Sequence, residues 1–265
     1  MPPIVRWRTF RQFIPAQCSV QMRSTVDVEV REFCNLTPDC VPELHRNVVH
    51  VWNQPLNVTS ANIQGYYLLL SEEERQRAIS FRFEEHRNDF ILTRASLRIL
   101  IASYIGNEPQ KVSFVYSHHG KPSLDAADDL RFNVSHTAGL ALLAVAKGRE
   151  VGVDVEKIRP QPDARKLAER FFSASERLSL AKLSSDELHA AFFRCWTRKE
   201  AYVKARGEGL SLPLHQFDVS IEAREGQLLL ATRPDASETS RWMLRDLPTD
   251  PGYAAALAIA ETVDG

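Results

Sequence analysis

Val151-Gly152-Val153-Asp154-Val155-Glu156 lies near the middle of a 265-residue chain, and apolar residues occupy every second position of it. Side chains of a β-strand point alternately to opposite faces. Val151, Val153 and Val155 therefore share one face and fit a core, while Gly152, Asp154 and Glu156 share the other. The two carboxylates start about 7 Å apart along such a strand, near enough to converge on one ion. At an effective dielectric near 20 they repel by about 2 kcal/mol, which solvation or a bound cation relieves. An acidic strand facing solvent has the same pattern, so the segment needs a second observation.

The second observation comes from the helix expected over Asp186 to Arg206. Phe192, Trp196, Glu200 and Lys204 are four apart and form one ridge. On an exposed face, Glu200 and Lys204 would be an ordinary i,i+4 ion pair. Phe192 and Trp196 turn that ridge inward, so a carboxylate and an ammonium in line with them describe the floor of a cleft. Three acids without His or Cys partners suit a hard divalent cation, Mg²⁺ or Mn²⁺, better than zinc.

Outward from this centre the chain reads as two α+β blocks. The first has a strand at His50–Trp52 ending by Pro55, a helix capped by Ser71 with Glu72, Glu73 and Glu74 in its first turn, and a longer helix from His86 to Ile105 stopped by Gly106. Strands follow at 112–116, 130–135 and 140–146. After the 151–156 strand the order repeats: helices at 163–171, 174–183 and 186–206, ended by Gly207 and Gly209, then strands at 217–221, 228–231, 242–244 and 254–260. The expected organisation is an extension over 1–46, a first half over 47–150 and a similar second half over 151–265.

Composition narrows the class. With 44% hydrophobic and 25% charged residues the chain is neither disordered nor low in complexity. A net charge of −1 gives no bulk attraction to nucleic acid or an anionic membrane. Apolar runs such as 140–146 and 253–260 are far shorter than the roughly 20 residues of a membrane helix. Cys18, Cys34, Cys40 and Cys195 form no C-x-x-C pair and have no zinc-like spacing, so a reduced, cytoplasmic setting is expected. Residues 1–24 carry Arg6, Arg8, Arg11 and Arg23 but no acid. That is the look of a transit peptide, although a disordered tail, or a start at Met22, is the simpler reading.

Two loops offer anion contacts. Gly120-Lys121-Pro122 places a lysine on a stiffened turn without P-loop spacing. Asn133-Val134-Ser135-His136 ends a strand with a hydroxyl and an imidazole side by side, both able to hydrogen-bond phosphate. No G-x-S-x-G elbow surrounds Ser135, which argues against a serine hydrolase. Arg75, Arg77, Arg87, Arg94 and Arg98 add positive charge to the first two long helical segments.

HHGKPSL (118–124), FNVSHT (132–137), VGVDVEK (151–157), FFSASE (171–176) and WTRKEAYVKARGEGLSLPL (196–214) occur in that order. Together they resemble the 4′-phosphopantetheinyl transferase superfamily, Sfp type, over roughly residues 65–220. The resemblance implies two similar α+β halves related by a pseudo-twofold axis, with the active site in the cleft between them. It implies transfer of the phosphopantetheine arm of coenzyme A to a serine hydroxyl of an apo acyl or peptidyl carrier protein, releasing adenosine 3′,5′-bisphosphate. It carries Mg²⁺ ligation to Asp154, Glu156 and Glu200. Lys121 and Pro122 then lie near the nucleotide, Ser135 and His136 near phosphate, and Lys199 and Lys204 beside the diphosphate. Lys204 would stabilise or protonate the departing phosphate, and Glu200 would take the serine proton, with Glu176 as the second choice. Basic residues of the family's first helix would face the 3′-phosphate; Glu74 stands where one is expected, which leaves Arg75 or Arg77.

A local excess of Arg159, Arg165, Lys166, Arg170 and Arg177 over Asp163, Glu169 and Glu176 could steer an acidic carrier. Two halves in one chain make a monomer the simplest assembly. The alternatives are a Mg²⁺-dependent hydrolase of nucleotide diphosphates, which needs only water as acceptor, and a coenzyme A-binding protein without activity.

Overall fold

The computed structural model describes residues 26–33, 41–57, 60–124, 129–161 and 163–261. Its first half runs β1 (Asp27–Glu32), β2 (Val48–Pro55), α1 (Ser60–Tyr67), α2 (Glu72–Ile79), α3 (Glu84–Ile105), a small hairpin of β3 (Val115–Tyr116) and β4 (Pro122–Ser123), then β5 (Leu130–Thr137) and β6 (Leu140–Lys147). The second half runs β7 (Val151–Lys157), α4 (Ala164–Phe171), α5 (Ala174–Ala181), α6 (Ser185–Arg206), the hairpin β8 (Phe217–Val219) and β9 (Leu229–Thr232), α7 (Glu238–Arg241), β10 (Trp242–Asp246) and β11 (Tyr253–Ala260).

The strand orders repeat as the element orders do. The first sheet is β1-β2-β6-β5 and the second is β10-β11-β7. In each half the opening strand pairs antiparallel with the closing one, β2 with β6 and β7 with β11, and the closing strand pairs antiparallel with the one before it. Each half also has a two-turn helix followed by a long one, and α3 and α6 are both 22 residues long. Gly106 and Gly207 end these two helices in the left-handed conformation, at φ 65° and 71°, where a side chain is disfavoured.

Alternation along the strands builds the layers. Trp52, Phe132, Leu143 and Val145 pack the first sheet on Leu97, Leu100 and Ile101 of α3. Val49, Val51, Leu142 and Ala144 turn to the opposite face and meet Val151, Val153, Val155, Leu257 and Ile259 of the second sheet. The far side of that sheet, with Ala256 and Ala258, packs on Phe192, Ala201, Tyr202 and Ala205 of α6. The valines of 151–156 thus fill the core between the sheets, and Gly152, Asp154 and Glu156 face α6.

One expectation needs correction. The extension 1–46 is not all outside the globular part, because Asp27–Glu32 forms β1, parallel to β2 at the sheet edge. Val26 is buried in the inter-sheet core, with Val28 and Val30 packed against it, and Leu44 is buried against α3. The alternation Val26, Val28, Val30 is the physical cause, since it gives an edge strand one apolar face. The arginine-rich segment 1–24 lies outside the described residues, as do Cys18, Cys34 and Cys40. Among the described residues no helix is long and apolar enough to cross a membrane.

Candidate active site

The site lies on the seam between the halves, where β5 runs beside β7 and the C-terminal turns of α6 cover β7. Close approach of α6 to β7 comes first. A Cβ on Gly152 would fall 2.2 Å from the Ala201 carbonyl oxygen and 2.3 Å from the Ala205 amide nitrogen. Only glycine opposite two alanines lets the helix settle so close to the strand. At that spacing Lys204 reaches across: its Nζ donates to Asp154 Oδ1 at 2.6 Å, Ser135 Oγ at 2.9 Å and the Val153 carbonyl at 3.3 Å.

Asp154 is buried, and its two oxygens differ. Oδ1 accepts from Lys204 and, at 2.8 Å, from the Ser135 hydroxyl. Oδ2 is buried with no hydrogen-bond partner, and an orphaned carboxylate oxygen in a protein interior needs a cation or a solvent molecule to offset its desolvation. Glu156 and Glu200 stand in the same field. Burial first, and the Asp154 charge second, push both carboxyls above the usual range. Glu156 accepts from Thr137 Oγ1 at 3.4 Å and lies 4.0 Å from Arg159. Among the described residues no three such side chains are already drawn together around one point. The donor set nonetheless fits a hard divalent cation: all oxygen, mutually repelling, with one buried lone-pair atom unfilled.

Beside the acids is a cationic rim. His136 is exposed, yet protein crowds it on most sides as at the mouth of a cleft. That crowding, then Lys204, Arg77 and His86, hold its imidazole below its ordinary pKa and hence neutral near pH 7. His86, at the start of α3, was not read as a site residue from sequence. Its signal was positional only, a histidine in the first turn of the helix whose later turns face the core. Arg77 lies over the Phe90 ring, 5.2 Å from its centroid, and takes part in no ion pair among the described residues.

Several expected site residues have other work. Lys199 is fully buried: its Nζ lies 2.8 Å from Glu176 Oε1 and donates to the carbonyls of Leu214 and Phe217, each at 2.7 Å. It is one residue off the Glu200–Lys204 ridge, and the 100° turn per residue sends it into the core rather than to a diphosphate. Glu176 is likewise buried. It closes the capping box of α5 with Ser173 and accepts the Val219 amide at 2.7 Å, so it is held by structure and not free to take a substrate proton. Arg75 donates to the carbonyls of Tyr67 and Leu68 at the end of α1. The Lys121 ammonium bridges Glu150 at 2.8 Å and the Ala205 carbonyl at 3.2 Å, which pins the hairpin loop to the end of α6, with Pro122 paired opposite Tyr116 in β4. The Ser135 hydroxyl donates once and accepts twice, and that uses its hydrogen-bonding capacity. Glu74, which stands in place of an expected base, closes the capping box of α2 and pairs with buried Arg98 at 2.5 Å.

Comparison with known proteins gives a family match for both halves. Residues 150–258 match the 4′-phosphopantetheinyl transferase superfamily, and residues 56–148 match the N-terminal part of 4′-phosphopantetheinyl transferases. The chain is 38% identical to the 4′-phosphopantetheinyl transferase HetI of Nostoc sp. over 80% of its own length and 87% of that protein. It is 30% identical to the 4′-phosphopantetheinyl transferase Sfp of Bacillus subtilis over 74% of its length and 85% of Sfp. It is 31% identical to the transferase psf-1 of Bacillus pumilus over 77% of its length and 85% of that protein.

Proposed function

The chain belongs to the 4′-phosphopantetheinyl transferase superfamily, whose reaction moves the phosphopantetheine arm of coenzyme A to a carrier-protein serine, and we propose that here the transfer takes place on the face formed by Asp154, Glu156, Glu200 and Lys204. The observation that carries this assignment is the buried, unpartnered Oδ2 of Asp154 between a lysine and two carboxyls of raised pKa. Asp154, Glu156 and Glu200 would hold Mg²⁺, or Mn²⁺ in its place. When bound, the cation supplies charge neutralisation for the diphosphate.

The chain's own groups divide the remaining work. Phosphoryl transfer is chiefly positioning and charge stabilisation. The serine oxygen of the carrier forms a bond to the β-phosphorus while the bridging oxygen leaves with adenosine 3′,5′-bisphosphate. The Glu200 carboxyl has no hydrogen bond among the described residues and a raised pKa, so it is placed to take the serine proton at Oε. Lys204 donates toward the departing oxygen from a position fixed by Asp154 and Ser135. Neutral His136, with Arg77 and His86, lines the phosphate side of the cleft, and the Lys121–Pro122 hairpin borders the nucleotide side.

For the carrier, a surface cavity of about 550 Å³ is lined by Arg170, Arg177, His215 and Arg233 together with Glu169 and Asp218. Its net basic lining suits an acidic helix. We place the enzyme in the cytoplasm as a monomer, since one chain supplies both walls of the cleft. Intact-mass spectrometry of an apo carrier protein incubated with enzyme, coenzyme A and Mg²⁺ tests the assignment. A gain of one phosphopantetheine arm, abolished by chelator and by Glu200→Gln, is the expected result. Transfer that survives Glu200→Gln at full rate would overturn the role of that residue.

A further inference from the structure

β7 pairs with β11 along one edge. Its other edge faces β5, and among the described residues no backbone ladder joins the two sheets there. The Val153 and Val155 N–H groups on that edge are inside the protein and must find acceptors, and the Lys157 N–H follows them at the exposed end of the strand. Three side chains of β5 provide them. Asn133 Oδ1 accepts from the Val153 amide at 2.9 Å, Ser135 Oγ from the Val155 amide at 3.4 Å, and Thr137 Oγ1 from the Lys157 amide at 3.3 Å. Both rows advance by two residues in the same direction, so one face of β5 replaces the carbonyls of a parallel neighbouring strand.

The same atoms hold the acids. Ser135 donates to Asp154 and Thr137 donates to Glu156. Each hydroxyl therefore fastens one residue's carboxylate and the next residue's amide. Asn133 has no carboxylate to hold, because the residue in that place is Gly152, covered by α6. A plain backbone ladder would align the strand but give neither carboxylate its hydroxyl donor, leaving Asp154 to Lys204 alone.

We propose that Asn133 and Thr137 are positioning residues of this active site, which with Ser135 fix the register of β7 so that Asp154 and Glu156 are presented together; the metal part of this rests on the reading that these acids hold a divalent cation. Asn133 sets the strand, and Thr137 sets both strand and carboxylate. The signal is legible afterwards in FNVSHT (132–137), whose polar residues at 133, 135 and 137 share the face opposite Phe132 and Val134.

Two measurements on the full-length protein test it: amide hydrogen exchange, and binding of Mn²⁺ alone followed by electron paramagnetic resonance. Asn133→Leu removes the acceptor and is expected to speed exchange at Val153 at least tenfold, with the β10–β11 amides unchanged. Asn133→Asp keeps the acceptor oxygen and the protection, and it serves as the variant of record if Asn133→Leu does not fold. Thr137→Val, nearly isosteric, is expected to weaken Mn²⁺ binding about tenfold or more, as is usual when a group bonded to a metal ligand is removed. Thr137→Ser restores it. Unchanged Val153 exchange in Asn133→Leu together with unchanged Mn²⁺ affinity in Thr137→Val, at whatever cost in melting temperature, overturns the proposal. If the wild-type protein itself takes up no Mn²⁺, the cation reading fails. The register role is then decided by exchange alone, kept by the tenfold local acceleration and lost without it.

Discussion

The two halves of the chain share a frame and differ in what they do with it. Ser71, Glu74 and Arg98 in the first half occupy the places of Ser173, Glu176 and Lys199 in the second: a capping box on the short helix, with the capping glutamate paired to a buried base at the same position along the long helix. Aligning the long helices end to end and the closing strands β6 and β11 end to end extends the match. Ile99 then stands opposite Glu200, Ser103 opposite Lys204, Trp52 opposite Asp154 and Gln54 opposite Glu156. The helix-to-sheet spacing differs as well. The first half puts His50, Leu100 and Tyr104 where the second has Gly152, Ala201 and Ala205, and the His50 and Tyr104 side chains hydrogen-bond to each other at 2.6 Å in the space so opened. Duplicated positions hold the common frame, while the unmatched ones are those to which we assign the chemistry.

The sharpest way to break that comparison is Glu200→Gln. If Glu200 is the base, carrier modification falls by about 10² to 10⁴-fold while the circular-dichroism melting curve keeps its shape. Ile99→Ala at the matching place lowers stability and leaves the turnover per folded molecule alone. Next come the buried ion pairs. Lys199→Met strands the buried Glu176 and is expected to lose about 3–5 kcal/mol in denaturant unfolding, and Arg98→Met loses less because Arg94 stays 3.5 Å from Glu74. Turnover of the surviving folded Lys199→Met enzyme stays near that of wild type. A selective collapse of kcat there, with stability intact, would return Lys199 to the diphosphate site and separate the two halves at the point where they look most alike.

Gly152→Ala tests the spacing. The new methyl must displace the α6 backbone, with an expected cost of about 1–3 kcal/mol and a disproportionate loss of turnover, since Glu200 and Lys204 move with the helix. The reciprocal change His50→Gly in the first half leaves a cavity and Tyr104 with only its Trp52 hydrogen bond, yet touches none of Asp154, Glu156 and Glu200. Equal activity losses from the two variants would deny that α6 is seated closely for the sake of the site.

Much of this was legible in sequence because it rested on short-range periodicity. Val151, Val153 and Val155 announce a strand with its acids on one face, and the four-residue spacing of Phe192, Trp196, Glu200 and Lys204 announces the helix that meets it. Gly106 and Gly207 mark both helix ends. What failed needed a distant partner to be known. Nothing near Lys199 tells that Glu176 waits in the core, and Ser71-x-x-Glu74 reads as a cap without revealing Arg98. Ser135 offers a hydroxyl suited to phosphate until Asp154, Lys204 and Val155 are seen to use it. β1 is hidden in sequence because Asp27, Glu29 and Arg31 disguise an edge strand whose valines face the core.

The smallest effect separates the halves by pH. Glu200 and Glu156 have carboxyls raised by burial and by Asp154, so in the metal-free protein the folded state holds protons that the unfolded chain has already released. Their contribution to stability is full below the unfolded carboxylate pKa and is lost as pH rises through the raised folded value. Glu200→Ile, which imports the first-half residue, removes that proton linkage. The chelated variant is expected to gain about 1 kcal/mol near pH 7, of the size typical when an active-site charge is relieved, and little at pH 4, while transfer activity disappears. Thermal unfolding of wild type and variant in chelator across pH 4 to 8 checks the sign. A variant less stable than wild type near pH 7, with the two converging toward pH 4, would mean that the carboxylate is stabilised by its neighbours, and that the second half gives up no stability for its chemistry.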